Sequence, residues 1–163
     1  MNICCYRLNS ELLNNPVNPL CSDQTPKKIM TASSNRWVLL YHQVQDQPSK
    51  RGDHFDLMLS PKDSGPLWTW AIETNPLDQS LPHECSAERL PDHRRVYLDY
   101  EGPISDDRGC VNRVAQGSFE IIQWSAEKIE LRTALSGPAI GQDEPFFVSL
   151  TKQPQGWKLR WAT

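Results

Sequence analysis

His54-Phe55-Asp56-Leu57-Met58-Leu59 follows the period of a β-strand. A strand turns successive side chains to opposite faces, so His54, Asp56 and Met58 share one face and Phe55, Leu57 and Leu59 the other. On its N-terminal side, Trp37-Val38-Leu39-Leu40-Tyr41-His42 is a short apolar, β-rich run, as expected of a buried strand. The polar stretch between the two, residues 43–53, carries Pro48 and Gly52 as breakers. On the C-terminal side a turn-rich connection, residues 61–66, leads into the strand Leu67-Trp68-Thr69-Trp70-Ala71-Ile72. Residues 73–82, with Pro76 and Pro82, read as a loop. Arg94-Arg95-Val96-Tyr97-Leu98-Asp99-Tyr100 alternates again and is expected to be a strand ending at Glu101-Gly102-Pro103. Residues 117–124 and 128–135 form an expected antiparallel pair, and 146–151 with 157–161 a last hairpin around Pro154-Gln155-Gly156. Many short strands with almost no helical period point to a mostly β fold, a small antiparallel β-barrel or sandwich with little helix.

The chain has 163 residues, enough for one ordinary domain, expected over residues 35–163. Residues 1–34 show no sustained period and are expected to be a disordered tail. Six Trp, four Tyr and four Phe supply a core despite a modest apolar fraction. No apolar run is long enough to span a bilayer, and the start lacks a signal-peptide pattern. Five cysteines at irregular spacing do not suggest a disulfide framework. The expected setting is therefore cytoplasmic, with no membrane partner and a monomeric state. A formal charge of −3 argues against coating long duplexes, which requires clustered Lys and Arg. It leaves room for binding a nucleic-acid end through a few local charges and a metal.

Two constellations could carry chemistry. His42, His54 and Asp56 offer two imidazoles and a carboxylate, a plausible set for a divalent transition metal. His54 and Asp56 project from one strand face, and an antiparallel neighbour could bring His42 beside them. On spacing alone the same residues also fit a surface or hydrogen-bonded core set. The second constellation runs from Asp92-His93 to Glu101-Gly102-Pro103. His93 and Tyr97 are four apart, an even number, so on a strand both would share a face with Arg95 between them. A His, an Arg and a phenol together could bind phosphate and protonate a leaving group. The alternative is a polar strand edge with Tyr97 packed for its ring.

Taken in order, these pieces resemble the 3′-phosphoesterase domain of bacterial ATP-dependent DNA ligase D, here as a standalone protein. In that family a strand ends in His, a His-x-Asp-x-Arg strand follows, then a Ser-Trp-Ala-Val strand. A segment close to Glu-Asp-His-Pro-Leu-Asp-Tyr-Ala-Asp-Phe-Glu-Gly comes last. Here His42, His54-Phe55-Asp56, Thr69-Trp70-Ala71-Ile72 and Asp92-His93 through Tyr97 to Glu101-Gly102 take the four places. The resemblance covers residues 36–102 and fades beyond them. It implies a β-barrel hydrolase, a nuclease-like DNA-repair enzyme that removes a 3′-ribonucleoside or 3′-phosphate with manganese, or else zinc or cobalt. Carried over by position, it implies metal ligation by His42, His54 and Asp56 and phosphate contacts from His93 and Tyr97. The implied partners are nucleic-acid 3′ ends and a DNA ligase or repair polymerase.

Two departures bear on the reaction. The family Arg two residues beyond the Asp is Met58, and a family Lys after the third strand falls at Thr74. Both are cations that neutralise phosphate charge. Arg95, by strand parity, and Arg113, if the following loop folds back, are the expected substrate-binding replacements. The rival expectation is a catalytically weak or inactive module on the same fold that binds nucleic-acid ends or a repair partner.

Overall fold

The computed structural model describes residues 35–44, 51–62, 64–78, 80–106, 108–135 and 145–162. The expected tail, residues 1–34, lies outside the described residues. Among the described residues nine strands follow one another: β1 (Arg36–Gln43), β2 (His54–Ser60), β3 (Leu67–Ile72), β4 (Glu84–His93), β5 (Gly102–Pro103), β6 (Cys110–Trp124), β7 (Lys128–Leu135), β8 (Phe146–Gln153) and β9 (Gly156–Ala162). All pairings are antiparallel, in the order β1-β2-β3-β4-β9-β8-β7-β6, and β6 pairs back with β1. The eight strands therefore close into a barrel, which leaves the ring without free edges. The two-residue β5 extends the ladder at the start of β6.

Alternation assigns the inner face. Trp37 and Leu39 of β1, Leu57 and Leu59 of β2, Trp70 and Ile72 of β3, Phe119 of β6 and Leu131 of β7 meet in one buried interior cluster. Each such side chain contributes roughly 1.5–3 kcal/mol by leaving water. β1 and β2 are apolar on their other face too, and the structure gives the reason. Val38, Leu40, Met58, Leu67 and Val111 form a second buried cluster outside the barrel, roofed by Tyr97 and Leu98. The roof is a 3-10 helix, Arg95–Leu98, where alternation had suggested a strand. Tyr97 and Leu98 are consecutive and both buried, which a strand lying on a sheet cannot arrange. Arg36 of β1 pins the end of this helix, donating to Asp99 at 2.7 Å.

Strand β4 lacks the apolar alternation that would have marked it. Its interior position Arg89, opposite Trp70, lays its guanidinium 5.0 Å and 4.9 Å from the ring centroids of Trp68 and Trp70. That cation–π stacking, with an ion pair to Asp92, lets a charged residue occupy a barrel-facing position.

β1 and β6 approach closely where Trp37 pairs with Gly117. A Cβ on Gly117 would lie 1.8 Å from the Ala134 carbonyl oxygen and 2.7 Å from Trp37 Nε1, which donates to that same carbonyl. Backbone on one side and a hydrogen-bonded indole on the other leave little room to relax. Gly117→Ala should therefore cost about 1–3 kcal/mol and lower the melting temperature by roughly 3–10 °C. An unchanged melting curve would mean that β6 and β7 are not this tightly apposed.

Candidate metal centre and adjoining cleft

The β1–β2 register sets His42 directly opposite His54, and Leu40 opposite Asp56. All four project from the outer face, so both imidazoles and the carboxylate share one patch beside the second apolar cluster. One nitrogen of each His and one oxygen of Asp56 lie within 4.8 Å of one another. The rings stand 4.8 Å apart between centroids. His42 Nδ1 is 3.7 Å from Asp56 Oδ2, and His54 Nε2 is 3.5 Å from Asp56 Oδ1.

The far side of each ring is held by a main-chain carbonyl. His54 Nδ1 lies 2.7 Å from the Gly52 oxygen, and His42 Nε2 lies 2.8 Å from the Arg108 oxygen. A carbonyl only accepts, so each of these nitrogens donates its N–H, and in the neutral rings the other two nitrogens carry lone pairs. Both lone pairs then face the same carboxylate. This is the outer support that fixes tautomer and ring orientation in His-ligated metal sites. Asp56 is buried, and its Oδ1 has no hydrogen-bond partner. A buried, unpaired carboxylate oxygen is costly unless a cation meets it. For His54, burial pulls the pKa down, but the Asp56 carboxylate and the Gly52 carbonyl outweigh it and hold the ring above its ordinary value.

Two features that sequence reading missed build this support. Asp53 accepts from the Val44 amide at 2.9 Å and from the Tyr41 hydroxyl at 3.0 Å, tying the ends of the β1–β2 connection together. Gly109, at φ +103°, passes so close to β1 that a Cβ would sit 1.9 Å from the Gln43 oxygen. This close passage is what brings the Arg108 carbonyl onto His42. Only glycine fits both the left-handed backbone and the contact.

A cleft of about 480 Å³ opens on the cluster, lined among others by His42, Asp56, His93, Arg94, Tyr97 and Arg108. His93 and Tyr97 line the same cleft as His42 and Asp56, Tyr97 from the 3-10 helix and not from a strand. Their rings meet edge-to-face at 5.7 Å. His93 Nδ1 donates to the Pro91 oxygen at 2.8 Å, so in the neutral ring Nε2 is the nitrogen with a free lone pair.

The expected cations are not the ones that line this cleft. With residues 95–98 helical, strand parity no longer applies to Arg95, which donates to Ser60 Oγ at 2.6 Å and to the Lys62 oxygen at 2.8 Å. Arg113 faces Glu101 at 3.7 Å and donates to Gln116 at 2.7 Å. Arg94 and Arg108 stand at the cleft instead, the latter anchored on the Ser105 carbonyl at 2.9 Å. Met58, where the resemblance has an arginine, lines the cleft from within the apolar cluster. Thr74 lies in the loop after β3 and is not among the residues lining this cleft. Burial pushes the Cys85 thiol up to about 11, which leaves it a poor nucleophile.

No family model matches this chain, and no curated protein matches it in sequence. The functional reading therefore rests on the geometry of the site.

The helix that carries Tyr97 depends in part on Arg36 and Asp99. The guanidinium's hydrogen bond holds the Asp99 carboxyl below its ordinary range. A depressed carboxyl contributes stability above its unfolded pKa, about 3.9, and loses it as pH falls through the lower folded value. The pair is exposed, 42% and 71% by side chain, so it is worth at most about 1 kcal/mol. Arg36→Ala should melt slightly below wild type at pH 7, with the gap closing below about pH 4. A gap that widens in acid would contradict this assignment.

Proposed function

We propose that this chain is a divalent-metal-dependent phosphoesterase that trims nucleic-acid 3′ ends, removing a 3′-ribonucleoside or 3′-phosphate. The observation that carries the reading is the buried Asp56 carboxylate, one oxygen of which has no hydrogen bond, set between two imidazoles whose outer nitrogens are already engaged. Two nitrogens and one carboxylate oxygen suit manganese, with zinc or cobalt as substitutes. Three protein ligands leave coordination positions for solvent and a phosphoryl oxygen.

A metal bound here would supply Lewis acidity toward the phosphoryl group and an activated water. The protein's own residues account for the rest. Arg94 and Arg108 at the cleft offset the negative charge that a phosphodiester gathers on the way to hydrolysis, the role left open by Met58. His93, with Nδ1 fixed on the Pro91 carbonyl, presents Nε2 to take a proton from the attacking water and return it to the leaving ester oxygen. The Tyr97 phenol, beside the His93 ring, orients a phosphoryl oxygen. The product is a 3′-hydroxyl fit for a DNA ligase or repair polymerase. With a net charge of −3, recognition is confined to the end of a strand rather than a long duplex.

The second reading, a non-catalytic module that binds nucleic-acid ends, draws on Met58, which places an apolar wall where the resemblance has a cation. A manganese assay on labelled primer-templates ending in a ribonucleotide or a 3′-phosphate separates the two. The enzyme reading predicts shortening by one nucleoside, then loss of phosphate. A wild type that binds these ends tightly yet stays inert would favour the module.

Asp56→Asn should abolish stoichiometric manganese binding by calorimetry while keeping the wild-type circular-dichroism spectrum. His93→Ala should keep the metal and lose about 10²–10⁴-fold in the 3′-end reaction. Metal binding retained in Asp56→Asn would move the site elsewhere.

A further inference from the structure

The phosphate cleft does not end at Tyr97. A second cleft, of about 570 Å³, continues from it and shares Arg94, Tyr97, Ile104 and Ser105 as common wall. Its chemistry is different. Val96, Tyr100 and Pro103 complete it, so its floor is aromatic and apolar where the first cleft is cationic and imidazole-lined. Val96 is 53% exposed, an apolar side chain left in water on the helix roof.

The walls are held in place. Tyr100 donates its hydroxyl to the Pro103 carbonyl at 2.5 Å, which fixes the ring on the loop leading to β5. Tyr97 and Tyr100 meet edge-to-face with centroids 6.1 Å apart. The Ile104 amide donates to Gly109 at 2.8 Å, so the opposite wall is tied to the backbone that supports His42. The Arg94 guanidinium lies 5.8 Å from the Tyr97 centroid, at the boundary of the two clefts. Aromatic and aliphatic surface beside a site for phosphate suits a flat, apolar-faced group joined to that phosphate through a short polar linker. A nucleobase on its ribose has this form, and base stacking on aromatic side chains is tolerant of base identity.

We infer that the cleft formed by Val96, Tyr97, Tyr100 and Ile104 is a nucleobase subsite that seats the base of the nucleoside esterified to the phosphate at the metal. The inference rests on the phosphoesterase reading for the position of the phosphate, but not for the character of the cleft. Arg94, shared by both clefts, bridges phosphate and base. Occupancy is read through the π-face and not through a base edge, so purines bind more tightly than pyrimidines without strict selection.

Three probes test it on the full chain with manganese: inorganic phosphate, adenosine 3′-phosphate and adenosine, followed by calorimetry and amide NMR. Adenosine 3′-phosphate should bind at least about tenfold more tightly than phosphate. It should perturb the amides of Val96, Tyr100 and Ile104. Val96→Ser and Tyr100→Leu, each checked for a wild-type-like melt, should bring its affinity toward that of phosphate. Phosphate and adenosine 3′-phosphate binding equally would overturn the subsite and leave the phosphoesterase reading standing. Adenosine perturbing Val96 and Ile104 while neither phosphate compound binds would uphold the subsite and overturn that reading. Perturbations confined to other parts of the barrel would overturn the subsite.

Discussion

Pairing of β1 with β2 places His42 across from His54 and Asp56 one step along the ladder, all on the outside of the barrel. A one-residue slip would turn every one of these side chains to the other face. The slip is prevented because both faces of the ladder are buried. Trp37, Leu39, Leu57 and Leu59 are locked into the interior, and Val38, Leu40 and Met58 are locked under the helix roof. The same burial takes His54 and Asp56 out of water. Register and low exposure thus have one origin, the burial of both faces of the ladder.

That roof also joins structure to chemistry. Its helix brings Tyr97 over the cluster, the preceding residues bring His93 and Arg94, and the loop after β5 brings Arg108 and its carbonyl. Apart from the ladder itself, the groups that line the cleft come from the end of β4, this roof, the loop after β5 and the start of β6. The interior cluster contributes rigidity and none of the residues that line the cleft. Loops carrying function on a rigid scaffold are common, and here the loop doubles as the cover of a second core.

The ladder was legible in the sequence because its signal is local. A period of two put His54, Asp56 and Met58 on one face, and a strand ending in His42 just upstream made an antiparallel partner the natural choice. The helix roof was misread for the same reason. Arg95, Val96, Tyr97 and Leu98 alternate in polarity, but their burial is decided by what lies beneath them. Strand β4 was missed because its interior position is filled by Arg89, whose burial depends on two tryptophans from another strand. Arg94 and Arg108 at the cleft, Asp53 across the β1–β2 connection and Gly109 against Gln43 are non-local arrangements. The sequence shows only Arg108-Gly109 here, and it does not say which backbone the glycine must approach.

We propose that two imidazoles and one carboxylate, fixed by the β1–β2 register, form a metal centre. Pulsed electron paramagnetic resonance of the manganese-loaded full chain tests this, because couplings to ¹⁴N count the bound imidazoles. One bound ion with two histidine nitrogens is expected in wild type, and with one in His42→Ala. A stoichiometric ion without nitrogen coupling, or two couplings that survive His42→Ala, would contradict it.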